Sequence, residues 1–86
     1  SMAENNIQAQ TERVMENIKG LLESENLTFA NVIKTTCFLS DMANFAAFNE
    51  VYAKYFTENP PARSTVAIKA LPKDALVEVE IIAVIK

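Results

Sequence analysis

Apolar positions return along this chain in two rhythms, and each rhythm predicts a kind of element. Over residues 7–25 the spacing is three to four. Ile7, Thr11, Val14, Ile18, Leu21 and Leu22 fall on one stripe of a helix. Asn5, with Gln8 three residues later, has the form of a capping box in which Asn replaces Ser or Thr. Gly20 lies inside this helix, where it costs about 1 kcal/mol relative to Ala. Asn26 is a candidate left-handed stop. Over residues 32–39 the pattern changes to a β-branched and aromatic run that predicts a strand. Both of its alternating sets hold apolar residues: Ile33, Cys37 and Leu39 on one side, Val32 and Phe38 on the other. Such a pattern predicts a sheet covered on both faces.

The helical rhythm resumes over residues 45–56, where Phe45, Phe48, Tyr52 and Tyr55 form a stripe flanked by Val51 and Phe56. Asp41 or Asn44 is placed to cap it. Residues 57–62 form a connector whose two prolines fix φ and bias Asn59 and Pro60 toward extended backbone. Residues 63–69 read as a second strand, 70–75 as a turn and 76–85 as the last strand. The order is α-β-α-β-β. It predicts one α+β domain over residues 1–86, with two helices on one face of a small mixed sheet. On the other face Ile82 and Val84 would stand beside Glu78 and Glu80, so a partner subunit is expected there.

At 86 residues there is room for one domain and not two. Half of the residues are apolar, too many for a disordered chain. No apolar run approaches the roughly 20 residues needed to cross a bilayer, so no membrane association is expected and the cytoplasm is the default location. A net charge of -3 argues against a dedicated nucleic-acid binder. Histidine is absent and Cys37 stands alone, which excludes histidine triads within the chain and makes no transition-metal site the expectation. A lone cysteine suits a reducing compartment and reads as a packed strand residue.

Candidate chemistry gathers in the last third of the chain. Arg63 leaves the Pro60-Pro61 turn at the mouth of a strand, and a planar guanidinium held in a defined direction can grip a small carboxylate with two parallel hydrogen bonds. Its structural alternative is a salt bridge, for example to Asp74 or Glu78. Glu78 in an otherwise apolar strand suits water activation or proton transfer, against a plain solvent-facing strand position. Asn49 reads as a polar helix residue. Thr65 follows Arg63 by two, on the same side of the strand. Tyr52 and Tyr55 read as helix core with a polar tip.

These segments together resemble the Rid family of reactive intermediate deaminases, whose members once carried the labels translation inhibitor and endoribonuclease. The resemblance rests on residues 60–65, the turn at Leu71-Pro72-Lys73-Asp74, and the run Val77-Glu78-Val79-Glu80-Ile81-Ile82-Ala83-Val84. Val32-Ile33-Lys34-Thr35-Thr36 and Phe48-Asn49-Glu50-Val51-Tyr52 complete it. It implies a chorismate-mutase-like fold and a trimer whose sheets pack inward, with active sites between subunits. It implies hydrolysis of 2-enamine and 2-imine acids, formed when serine or threonine is dehydrated, to 2-oxo acids and ammonia, with no cofactor. Arg63 would hold the substrate carboxylate and Glu78 would position water. Asn49 and Thr65 would line the pocket, the latter at a position where some members carry cysteine.

Family members are longer and open with a β-hairpin before the first helix. The chain is therefore expected to be N-terminally truncated relative to the family, with Ser1-Met2 read as an expression scar and start codon. The last strand would then lie at an edge and invite association. Two other classes of function fit the same residues: a non-catalytic, self-assembling fragment, and a binding module for small carboxylates that uses Arg63 without turnover.

Overall fold

The computed structural model describes residues 6–85. Helix α1 covers Ile7–Ser24. Its cap is Asn6, whose side chain accepts from the Ala9 amide at 3.0 Å; Asn5 and the Ser1-Met2 pair lie outside the described residues. The helix closes where Asn26 takes a left-handed φ of 60°. There the Leu27 amide reaches back to the Leu22 carbonyl at 2.8 Å, the bond that ends many helices. The buried stripe differs from the expected one. Met15 is fully buried alongside Thr11, Ile18 and Leu22, whereas Leu21 is 68% exposed. Positions 11, 15, 18 and 22 follow the i, i+4, i+7, i+11 line, and Leu21 falls about one residue's rotation off it.

Strand β1, Val32–Leu39, is entered through a 3-10 turn at Phe29–Asn31 that Thr28 caps. It ends at a second such turn, Met42–Asn44, capped by Asp41, whose carboxylate accepts from the Ala43 amide at 2.9 Å. Asn44 supplies no side-chain cap to the next element. Helix α2 covers Phe45–Tyr52 and tightens into a 3-10 turn at Ala53–Tyr55 rather than continuing as α-helix. The tightening turns Phe56 back into the core. Asn59 then adopts φ 49° and not the extended backbone expected before proline. The chain reverses here, and asparagine tolerates the left-handed region that the reversal requires.

Strands β2, Ala62–Ala67, and β3, Val77–Ala83, complete a three-stranded sheet of order β2-β1-β3. The β1 and β2 strands run parallel, with α2 as the crossover between them, and β3 is antiparallel to β1. Between β2 and β3 a 3-10 turn at Pro72–Asp74 places Lys73 and Asp74 at positive φ. The last strand is an edge strand of this sheet, as expected.

Both helices lie on one face of the sheet. Met15, Ile18 and Leu22 of α1 and Phe48 and Tyr52 of α2 share a core with Cys37, Leu39 and Val77. The Gln10 side chain accepts from the Leu76 amide at 2.9 Å, tying α1 to the start of β3. A register irregularity between Val32 and Lys34 changes the phase of β1. Val32, not Ile33, joins the buried set with Cys37 and Leu39; Val32 is 4% exposed and Ile33 49%. An extra residue in one strand of an antiparallel pair shifts side chains to the opposite face in this way. Among the described residues nothing covers the second face. Val66 and Ile82 are exposed on it beside Glu78 and Glu80, and Lys34 Nζ donates to Ser64 Oγ across it at 2.7 Å.

Candidate functional site

Arg63, the second residue of β2, lies opposite Thr35 of the central strand, so both side chains point toward the helices. Helix α2 crosses above them. Phe45, Asn49 and Tyr52 lie at i, i+4 and i+7 and form one stripe facing the arginine. The guanidinium carbon stands 4.7 Å from the centroid of the Tyr52 ring and 5.3 Å from that of Phe45. Arg63 Nη1 donates to Asn49 Oδ1. Ring faces attract a cation, and a guanidinium stacked between contacts gives up little further freedom when it binds an anion. One of its five N–H groups is used by Asn49. Others remain for a carboxylate.

The Tyr52 hydroxyl passes through the helix-sheet interface and shares a 2.7 Å hydrogen bond with Thr35 Oγ1, both groups being buried. Burial raises the Tyr52 pKa; the Thr35 bond and the Arg63 charge act the other way, and Cys37 adds to the rise. Beside them, burial pushes the Cys37 thiol above its ordinary value, offset in part by Thr35, Arg63, Thr65 and Lys34. A thiol held in its protonated form behind the groove is a packing group. Thr65 faces Cys37 in the ladder. It stands near enough to influence the thiol's proton, yet its buried Oγ1 meets no group in hydrogen-bond geometry.

An open groove of about 460 Å³ runs along this arrangement, lined by Asn49, Tyr52, Phe56, Pro60, Pro61 and Arg63. It is apolar along one wall and carries a cation and an amide at its rim. Of the residues singled out in the sequence, Arg63 and Asn49 therefore meet in one place. Thr65 lies behind the groove, not in its lining. Glu78 is elsewhere: it lies on β3, where it pairs with Phe38 of the central strand, and is exposed on the uncovered face. The contact that holds Arg63 is with Asn49 and two aromatic rings, rather than with Asp74 or Glu78. The sequence placed Phe45, Asn49 and Tyr52 on one helix face by their spacing, but nothing in it brought that face to Arg63.

Tyr55, at the end of the 3-10 turn that follows α2, donates to Glu16 Oε2 at 2.7 Å. Burial and the carboxylates of Glu16 and Glu12 push its pKa up to about 12. Among the described residues no group of three or more Cys, Asp or Glu is gathered that could hold a metal ion. No helix among them is long and apolar enough to cross a membrane.

Protein DfrA of Myxococcus xanthus is 49% identical over 96% of the chain and 63% of its own length. A RutC family protein of Pyrococcus horikoshii is 52% identical over 90% of the chain and 61% of its own length. Among solved structures, yeast Mmf1 superposes with a TM-score of 0.92 at 43% identity, covering 96% of this chain and 66% of that one. TdcF of Escherichia coli, solved with bound serine, gives 0.90 at 37% identity, covering 94% and 66%. The chain thus spans somewhat less than two thirds of the length of these relatives. The family model described as Endoribonuclease L-PSP matches residues 1–85, and with relatives this similar over nearly its whole length the chain belongs to the Rid family.

Proposed function

We propose that the protein hydrolyses small 2-imine and 2-enamine acids to 2-oxo acids and ammonia, in a homo-oligomer that completes the groove. The observation that carries this reading is Arg63, stacked on Tyr52 and Phe45, fixed by Asn49, and turned toward an open groove. Such a fork suits the carboxylate shared by every substrate of this class. The serine bound by TdcF is a ligand of the same kind, an amino acid with a free carboxylate.

In the proposed reaction the substrate carboxylate pairs with Arg63, which leaves the C2 iminium carbon facing a water. Glu78 of a second copy accepts a proton from that water as its oxygen bonds to C2, and the C=N π electrons move to nitrogen. The resulting aminoalcohol collapses. Glu78 returns its proton to the amine nitrogen and then takes up the hydroxyl proton as the C=O bond forms and the C–N bond breaks, and the departing ammonia carries that last proton away as ammonium. One water is consumed for each ammonia released. An iminium carbon is already electrophilic, so positioning and proton transfer are all the protein need supply. Thr65 would support the groove from behind. A trimer with inward-facing sheets is the arrangement we favour, because it would cover Val66 and Ile82. A reducing cytoplasm suits the free thiol of Cys37.

A second reading has its own support. Within one chain Glu78 and Arg63 face away from each other, so a lone chain would bind carboxylates without turnover. Mixing the purified protein with a threonine dehydratase and threonine, and following decay of the imine, separates the two. Acceleration that disappears in Arg63→Ala supports the deaminase. Binding of 2-oxobutanoate without acceleration supports the binding module. Neither effect would sink both.

A further inference from the structure

We propose that Tyr52, anchored through its hydroxyl by Thr35, is the positioning residue that sets the direction of the Arg63 guanidinium. The inference rests on the reading of Arg63 as the carboxylate-binding group and concerns how that group is aimed. Thr35 and Arg63 are direct neighbours across the parallel β1/β2 ladder. Tyr52 touches both: its hydroxyl is 2.7 Å from Thr35 Oγ1, and its ring centroid is 4.7 Å from the guanidinium carbon. One strand residue thereby fixes the tip of the phenol, and the phenol presents its face to the next strand's arginine.

The ring is also held from the sides. Phe48 and Phe56 pack on it with centroid separations of 5.4 and 4.9 Å. Side packing limits lateral movement but leaves sliding along the phenol's long axis, and the buried hydroxyl bond stops that slide. Asn49 can fix only one N–H of the guanidinium. The plane of the fork is set by the ring beneath it, since a guanidinium stacks flat on an aromatic face. Bidentate recognition depends on that plane, and a displacement of about 1 Å in a binding group can cost on the order of 100-fold in rate. Thr35 and Tyr52 are thus more than core polar residues satisfying one another: their bond transmits the position of the central strand to the rim of the groove.

The test uses Tyr52→Phe, which keeps the ring and removes the anchor, and Tyr52→Phe/Thr35→Val, which also removes the hydroxyl left orphaned. Two readouts are needed: the Kd for 2-oxobutanoate, and the Arg63 Nε–H NMR signal, whose chemical shift reports the ring beneath it. We expect Tyr52→Phe to weaken binding about tenfold and to shift the Arg63 signal. The double variant should recover thermal stability yet keep the weak binding, which a purely structural role would not produce. Tyr52→Leu, lacking the ring, should bind more weakly still. Unchanged Kd and an unmoved Arg63 signal in Tyr52→Phe would overturn the inference while leaving the carboxylate reading intact. A double variant that regains both stability and affinity would overturn it as well. A wild-type protein that binds no 2-oxobutanoate, with an Arg63 signal that still shifts in Tyr52→Phe, would uphold the anchor and defeat the carboxylate reading.

Discussion

Arg63 and Glu78 stand on opposite faces of one sheet, on strands separated by β1. Thr35 and Phe38, their respective ladder partners, are three residues apart and so point opposite ways. A site that uses both must draw them from different copies. Arg63→Ala and Glu78→Gln should each be inactive alone. Mixed under conditions that allow subunits to exchange, they should recover up to about a quarter of wild-type turnover, the fraction of random pairings that brings an intact arginine to an intact glutamate. Imine decay measured before and after mixing checks this; no recovery from exchanged mixtures would rule out a shared site.

Arg63→Lys keeps the charge and loses the fork, the planar stack and the bidentate geometry. A drop of about 10- to 100-fold in kcat/KM is expected, against a smaller loss for Asn49→Ala, which removes one acceptor and leaves both rings. Steady-state kinetics on the coupled dehydratase system would show it. A lysine variant as active as wild type would mean that charge alone suffices.

Gly20 sits in the interior of α1, exposed, with nothing within 4 Å of where a Cβ would stand. Alanine there should stabilise the fold by about 0.5–1 kcal/mol, through the lower backbone freedom of the unfolded chain. Urea midpoints of wild type and Gly20→Ala, at equal slope, measure the difference.

Alkaline pH should destabilise the protein in steps. Cys37, Tyr52 and Tyr55 all have raised pKa values in the fold. Each holds its proton more tightly when folded, so its contribution is fully present below the unfolded pKa and is lost as pH rises through the folded one. The decline should begin near the ordinary thiol value of 9.0 and steepen beyond the phenol value of 10.0. For Tyr55 it should continue toward about 12. Cys37→Ala should be less stable overall but lack the first step of the decline. Urea titrations from pH 7 to 11 test the order of events, and an unbroken plateau to pH 11 would refute it.

Much of the fold was legible because its elements carry strong local signals. The β-branched run at 32–39 is a strand with those bounds, and the phenylalanine stripe from Phe45 onward is a helix. What escaped notice depends on partners far along the chain. Gln10 meets Leu76 66 residues away, Tyr52 meets Thr35 across 17, and Arg63 meets Asn49 across 14. No periodicity records such pairs. The α1 stripe departs from expectation only at Leu21 and Met15, for a related reason: both are apolar, and only the neighbouring sheet decides which is covered. At the site, the sequence marked Arg63 and Asn49 by type and setting. The rings that cradle the arginine looked like ordinary core, and in large part they are.

The single-residue irregularity near Ile33 acts as a frameshift in the alternation of the central strand. Downstream of it, Thr35, Cys37 and Leu39 face inward; upstream, Val32 does so too, although strict alternation would have turned it to solvent. Ile33 is thereby handed to the outer surface, where Ile82 of the neighbouring strand also stands exposed. One extra amino acid lets a single ribbon of backbone feed two hydrophobic layers, an inner one that packs under the helices and an outer one left open on the bare face of the sheet.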